Sequence, residues 1–196
     1  MFEVVLLAVF AVFLAWFDGI GESKYGLKTA FLLIFLFAGL RYNFGTDYMS
    51  YLEMFKDIER YKDVSDIDYS DYYSESLWLI LCYLFKPFGF FSMIFVLSAF
   101  YCYTYYIIIK KYVNKKYYWF AVLIYICFTD LMLVQLSAIR QALSICIFIY
   151  SIQYLLEKRS IIKYIALCIL AGSFHTSGFS MLLLLIFYPK YSDKNN

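Results

Sequence analysis

The chain has 196 residues, 64% of them apolar and 16% charged, with a formal net charge of +2 and a mean hydropathy of +0.69. That apolar share lies well above the roughly half that is usual in soluble domains, so a soluble globular domain is excluded and an integral membrane protein is the reading. Only 2 prolines interrupt the apolar runs, and these runs do not alternate strictly, which excludes a string of β-strands and leaves helices.

The expected fold is a polytopic, all-α transmembrane bundle of about six or seven spans, forming one domain over residues 1–196. The first span covers 2–17; Glu3 stands where a secretory signal would carry basic residues, so a retained helix is expected and not a cleaved leader. The second, 27–40, ends at a polar run, Arg41-Tyr42-Asn43-Phe44-Gly45-Thr46-Asp47-Tyr48, with Tyr51 shortly after. Gly45 can take a positive φ and let backbone amides approach a ligand, and a helix starting after Thr46 sets Asp47, Tyr48 and Tyr51 about one turn apart. The guanidinium of Arg41 can hold a phosphate through a planar fork; the competing reading is an arginine that snorkels to a headgroup, within an aromatic belt.

Residues 41–76 form an expected extracytoplasmic loop with short helices. Ahead of Lys86-Pro87, 75–85 is too short for a firm span; Leu77, Leu81 and Leu84 share a helical face, which favours an interfacial or re-entrant helix. Further spans follow at 88–109, 117–133 and 138–156. The last carries Arg140-Gln141 within apolar surroundings, where an arginine costs about 2.5–3.5 kcal/mol at mid-span and needs compensation. Asp130 and a ligand anion are the two candidate partners. The stretches 161–174 and 177–188 are either two short spans or one kinked helix bent near Gly172 and Gly178. Between them stands the only histidine, His175, followed by Thr176 and Ser177; imidazole at a helix break can accept a proton near neutral pH, although a lone histidine is more often structural. Residues 190–196 are a polar tail.

Basic residues set the orientation. Lys24 and Lys28, then Lys110, Lys111, Lys115 and Lys116, then Lys158, Arg159 and Lys163 mark three connections as cytoplasmic. Alternating spans then put Arg41, Arg140 and His175 on one external face. The intervening stretch 41–75 holds nine acids (Asp47, Glu53, Asp57, Glu59, Asp63, Asp66, Asp68, Asp71, Glu75) and four bases (Arg41, Lys56, Arg60, Lys62). The five cysteines sit in or beside apolar runs without CxxC spacing and read as small apolar residues. No zinc spacing, P-loop, dinucleotide fingerprint or Ser/His/Asp order occurs, so neither a metal nor another cofactor is expected, and the segregated charge speaks of topology and not of nucleic acid.

Arg41-x-x-x-Gly45-x-Asp47-Tyr48-x-x-Tyr51, Glu75 before an apolar run, Arg140-Gln141 opening a later helix and His175-x-Ser177 after another resemble, in this order, the EpsG family of polytopic bacterial proteins, related to the Wzy-type polysaccharide polymerases. Such proteins usually carry further spans after the histidine, so a short or truncated member is expected. The resemblance implies a multi-pass protein of the bacterial cytoplasmic membrane that polymerises lipid-diphosphate-linked repeat units at the outer face, a glycosyltransferase-type activity. It implies that Arg41 and Arg140 hold undecaprenyl diphosphate, that His175 or Asp47 takes the proton of the acceptor hydroxyl, and that Tyr48 and Tyr51 stack on sugars. Gln141, Glu75 and Ser177 join the substrate-binding set by the same motifs. Its expected partners are the lipid-linked glycan, membrane lipid and other polysaccharide-assembly proteins. A small transporter or flippase and a non-catalytic assembly subunit are the alternatives.

Overall fold

The computed structural model describes residues 2–62, 76–157 and 160–188, with Thr129 and Asp130 described by their backbone alone. Glu75, the acids Asp63, Asp66, Asp68 and Asp71, the pair Lys158 and Arg159, the Asp130 side chain and the tail 190–196 lie outside the described residues.

Among the described residues the chain is helical throughout, without a strand. In order come α1 (Phe2–Gly19), α2 (Gly26–Gly39), α3 (Tyr48–Glu59), α4 (Ser76–Phe85), α5 (Phe90–Tyr112), a 3-10 turn (Lys115–Tyr117), α6 (Tyr118–Cys127), a π-helical turn (Thr129–Leu133), α7 (Val134–Ser137), α8 (Ile139–Leu156), α9 (Ile161–Phe174) and a 3-10 segment (Thr176–Ile186). Three helices, α1, α5 and α8, are long and apolar enough to cross a membrane, and a fourth crossing results if Lys115–Cys127 and Leu131–Ser137, bent by 48°, count as one. The expected six or seven spans thus divide into three or four of full length and several shorter apolar helices. The 14 residues of α2 or of α9 rise only about 21 Å, against a hydrocarbon core of ~30 Å.

Packing follows the rules of a bundle whose solvent is lipid. On α1 the inward seam is Ala11 and Ala15, while Val5, Val9, Phe13 and Trp16 are exposed. Small side chains let helices approach closely, and at Gly26 a Cβ would stand 2.1 Å from the Leu14 carbonyl oxygen. From this seam the core continues through Phe31 and Ile34 of α2, Met93, Ile94 and Tyr101 of α5, Val122 and Tyr125 of α6, and Ile139, Ala142 and Cys146 of α8. On α3, Tyr48, Tyr51, Phe55 and Ile58 are buried at helical spacing beneath a polar outer face, so this helix lies on the bundle and does not cross it.

Two segments take a particular form. On α4 the buried side consists of Trp78, Leu79 and Cys82, with the Trp78 indole against Tyr51 of α3, while Leu84 of the leucine-bearing face is exposed. The C-terminal stretch is not one kinked helix. His175 is extended, with φ −156° and ψ 130°, and the segment after it folds back on α9: the Phe179 ring lies over Gly172, and the Tyr164 hydroxyl donates to the Met181 carbonyl.

Helix ends sort the charges. Lys115 pairs with Asp18 at 3.0 Å, Asp18 accepts the Leu27 amide at the start of α2 at 2.9 Å, and Lys111 pairs with Glu157 after α8. The lysine-bearing ends of α1, α2, α5, α6 and α8 therefore share one end of the bundle. Arg41 follows the far end of α2, Arg140 opens α8 and His175 closes α9, each about 20–25 Å away by helix rise.

Candidate functional site

Arg41 stands between two breaks in the helical ladder. The π-helical turn, the brief α7 and Ala138, at φ −90° and ψ 71°, interrupt the chain before α8, and such an interruption frees carbonyls that need donors. Buried irregular backbone is tolerated only where protein satisfies it. Arg41, 6% exposed, supplies the donors: Nη2 donates to the carbonyls of Gln135 at 3.3 Å and Leu136 at 3.5 Å, and Nη1 to the Ala38 carbonyl and to Ser98 Oγ at 3.2 Å. A buried guanidinium needs acceptors as much as the broken helix needs donors. Both Nη atoms of Arg41, the planar fork expected to face a phosphate, are engaged with the protein in this structure.

Carbonyls carry dipoles and no charge. Among the described residues no carboxylate pairs with Arg41, and its buried Nε has no acceptor. Burial pulls its pKa below the usual value, yet a guanidinium keeps its proton. The result is a cation in a poorly screened interior, projecting a positive field on its surroundings.

The second guanidinium lies under the same face of α3. Tyr48 and Tyr51, three residues apart and so on one helix face, each lie against an arginine: Arg41 Cζ is 5.9 Å from the Tyr48 ring centre and Arg140 Cζ is 5.3 Å from that of Tyr51. Phe90 holds Tyr48 at 5.4 Å and Trp78 holds Tyr51 at 5.5 Å, fixing both rings. The Tyr101 hydroxyl donates to the Ile139 carbonyl at 2.8 Å, next to Arg140, and so ties α5 to the start of α8. Arg140 and Gln141 are half-buried in the first turn of α8.

The loop 41–47 is shaped by the same contacts. Gly45 has φ +109°, and a Cβ there would stand 2.1 Å from the Leu136 carbonyl oxygen, so glycine is required for the loop to lie on the broken helix. The expected approach of amides to a ligand is here an approach to the protein itself, the Thr46 amide donating to Ser137 Oγ at 3.3 Å. Asp47, in the residue before α3, is exposed while its neighbour Tyr48 is buried.

His175, half-buried, closes α9: its amide donates to the Ala171 carbonyl at 3.1 Å and its carbonyl accepts the Gly178 amide at 2.9 Å. Ser177, also half-buried, accepts the Ser180 hydroxyl at its carbonyl. This turn rests on α8, since a Cβ at Gly178 would stand 2.6 Å from Ser144 Oγ. Ser144 is one turn beyond Arg140, about 6 Å along the axis, so the His175 turn and the two arginines share one end of the bundle. Glu75 is outside the described residues.

Ser98, Tyr101, Gln135 and Ser137 join this site although sequence reasoning passed over them. Ser98 and Gln135 are buried polar residues in apolar helices and carried a signal in that isolation; Tyr101 was one of 22 tyrosines.

The EpsG family model matches residues 25–195. No curated protein and no solved structure matches the chain. A match over most of the chain, to a bundle with membrane-length apolar helices, carries the assignment: the protein belongs to the EpsG family and is a membrane protein of polysaccharide biosynthesis.

Proposed function

We propose that the protein polymerises lipid-diphosphate-linked glycan repeat units at the outer face of the cytoplasmic membrane. One observation carries the reading: a buried guanidinium, Arg41, that pairs with no carboxylate among the described residues, and a second one, Arg140, beneath the same aromatic helix face. That arrangement suits an anion which gains charge as it leaves.

In the proposed reaction the oxygen of an acceptor sugar hydroxyl bonds to the anomeric carbon of the donor glycan. The bond from that carbon to the undecaprenyl diphosphate oxygen breaks, and the diphosphate departs with the bonding electrons. Arg140 contacts the diphosphate, with Gln141 and Ser177 beside it. Arg41 is a positioning residue: it holds the α2–α3 corner on the broken helix and adds its field. His175, half-buried near the start of α8, is a better proton acceptor than exposed Asp47, because shielding from water favours a defined geometry. Tyr48 and Tyr51, buried under α3, hold the arginines.

In cells whose surface polysaccharide depends on this protein, Arg140→Ala leaves single repeat units in place of long polymer at unchanged membrane abundance, and Arg140→Lys restores part of the chain length. Full-length polymer from Arg140→Ala overturns the reading.

A further inference from the structure

The opposite end of the bundle carries a charged cavity, which the proposed polymerisation does not use. Its volume is about 440 Å³, and Lys24, Lys28, Lys110 and Lys115 line it together with one acid, Asp18. That acid is already engaged: it accepts the Leu27 amide and pairs with Lys115. Glu22, in the same connection, does not line the cavity, and among the described residues Lys24, Lys28 and Lys110 enter no ion pair. Lys110 is instead held by Tyr106, to whose hydroxyl it donates at 3.1 Å while lying 5.4 Å from the ring centre. Lys24, Lys28 and Lys110 thus line the cavity beside a single carboxylate that Lys115 already holds.

A groove of about 490 Å³ adjoins this cavity and shares Lys28 and Tyr106 with it. It runs between α2 and α5 from their lysine-bearing ends toward mid-bundle, over Phe31, Phe35, Ala99 and Phe100. Leu32 and Tyr103 on its rim are exposed, so it opens to the outside of the bundle, where acyl chains lie. A basic head pocket continuous with an apolar groove, on the side that the lysines mark as cytoplasmic, matches one chemistry: a phosphate on a long hydrocarbon chain.

We propose that this is a binding site for an anionic phospholipid of the inner leaflet, with Lys24, Lys28 and Lys110 on its phosphate and one acyl chain in the α2–α5 groove. It is independent of the polymerisation site, so its test reads bound lipid and not product.

The full chain, purified in detergent and exchanged with equal amounts of phosphatidylglycerol and phosphatidylcholine, is examined by native mass spectrometry. Phosphatidylglycerol is retained in excess. Each of Lys24→Gln, Lys28→Gln and Lys110→Gln lowers that retention about fivefold, Lys28→Arg preserves it, and Ala99→Trp, which fills the groove, lowers it while the lysines remain. Equal retention of the two lipids overturns the proposal, as does undiminished retention in the triple glutamine variant. Displacement of the lipid by millimolar inorganic phosphate, together with an Ala99→Trp variant that binds lipid normally, identifies a free-phosphate site and overturns it as well.

Discussion

Arg41 shows how one side chain can be structural and electrostatic together. Its four Nη hydrogen bonds reach α2, α5 and the interrupted segment before α8, so deleting it strands acceptors at each. Arg41→Ala is expected to cost about 2–3 kcal/mol, the penalty for buried carbonyls left without donors. Thermal unfolding in detergent measures this; an unchanged midpoint shows that the carbonyls find other donors. Arg140 is half-buried, and Arg140→Ala is expected to leave stability within about 1 kcal/mol while polymer length collapses. Comparing both variants for stability and product separates the positioning arginine from the binding one. Gly45 belongs at the same scale: Gly45→Ala must adopt φ near +109° and displace the Leu136 carbonyl, at a cost of about 1–3 kcal/mol.

Between elements, glycines set the distances. The fold-back after His175 depends on Gly178, where a Cβ would stand 2.5 Å from the Ala171 carbonyl carbon and 2.6 Å from Ser144 Oγ. Gly178→Ala is expected to push the turn off α8, destabilising by about 1–3 kcal/mol through overpacking and shortening the polymer by moving His175. Normal product length from a stable Gly178→Ala variant removes the His175 turn from the site. At the other end, Gly26→Ala drives a methyl toward the Leu14 carbonyl and should part α1 from α2. Its defect should appear as lost stability and lower abundance, since Gly26 is a helix length from the arginines. Equal sensitivity of product to both glycines, at equal abundance, contradicts this division.

For the whole molecule the testable property is sidedness. The lysine-rich end and the arginine end are separated by the length of α5 and α8, and the excess of basic residues assigns the former to the cytoplasm. In a Cys127→Ser background, which removes the exposed native thiol, a cysteine at exposed Met49 should react with a membrane-impermeant maleimide on intact cells. One at exposed Tyr117 should react only after permeabilisation. Labelling of both positions on intact cells overturns the topology.

Much of this was legible along the chain. Composition dictates a helical membrane bundle, because backbone polar groups in lipid must be satisfied within each segment. Lysine clusters order the ends, and the motif residues Arg41, Tyr48, Tyr51, Arg140 and His175 stand out as polar groups where apolar spans stop. The tertiary structure alone decided that Arg41 Nη2 faces carbonyls of a helix broken about 95 residues later in the chain, that α3 places Tyr48 and Tyr51 each over a different arginine, that the chain doubles back after His175, and that four lysines from two connections wall one cavity above an apolar groove. Periodicity and charge report which surface a residue prefers, through local and solvent energies. Which distant carbonyl, ring or lysine it meets depends on how helices pack, and packing is a property of the pairwise fit of whole surfaces.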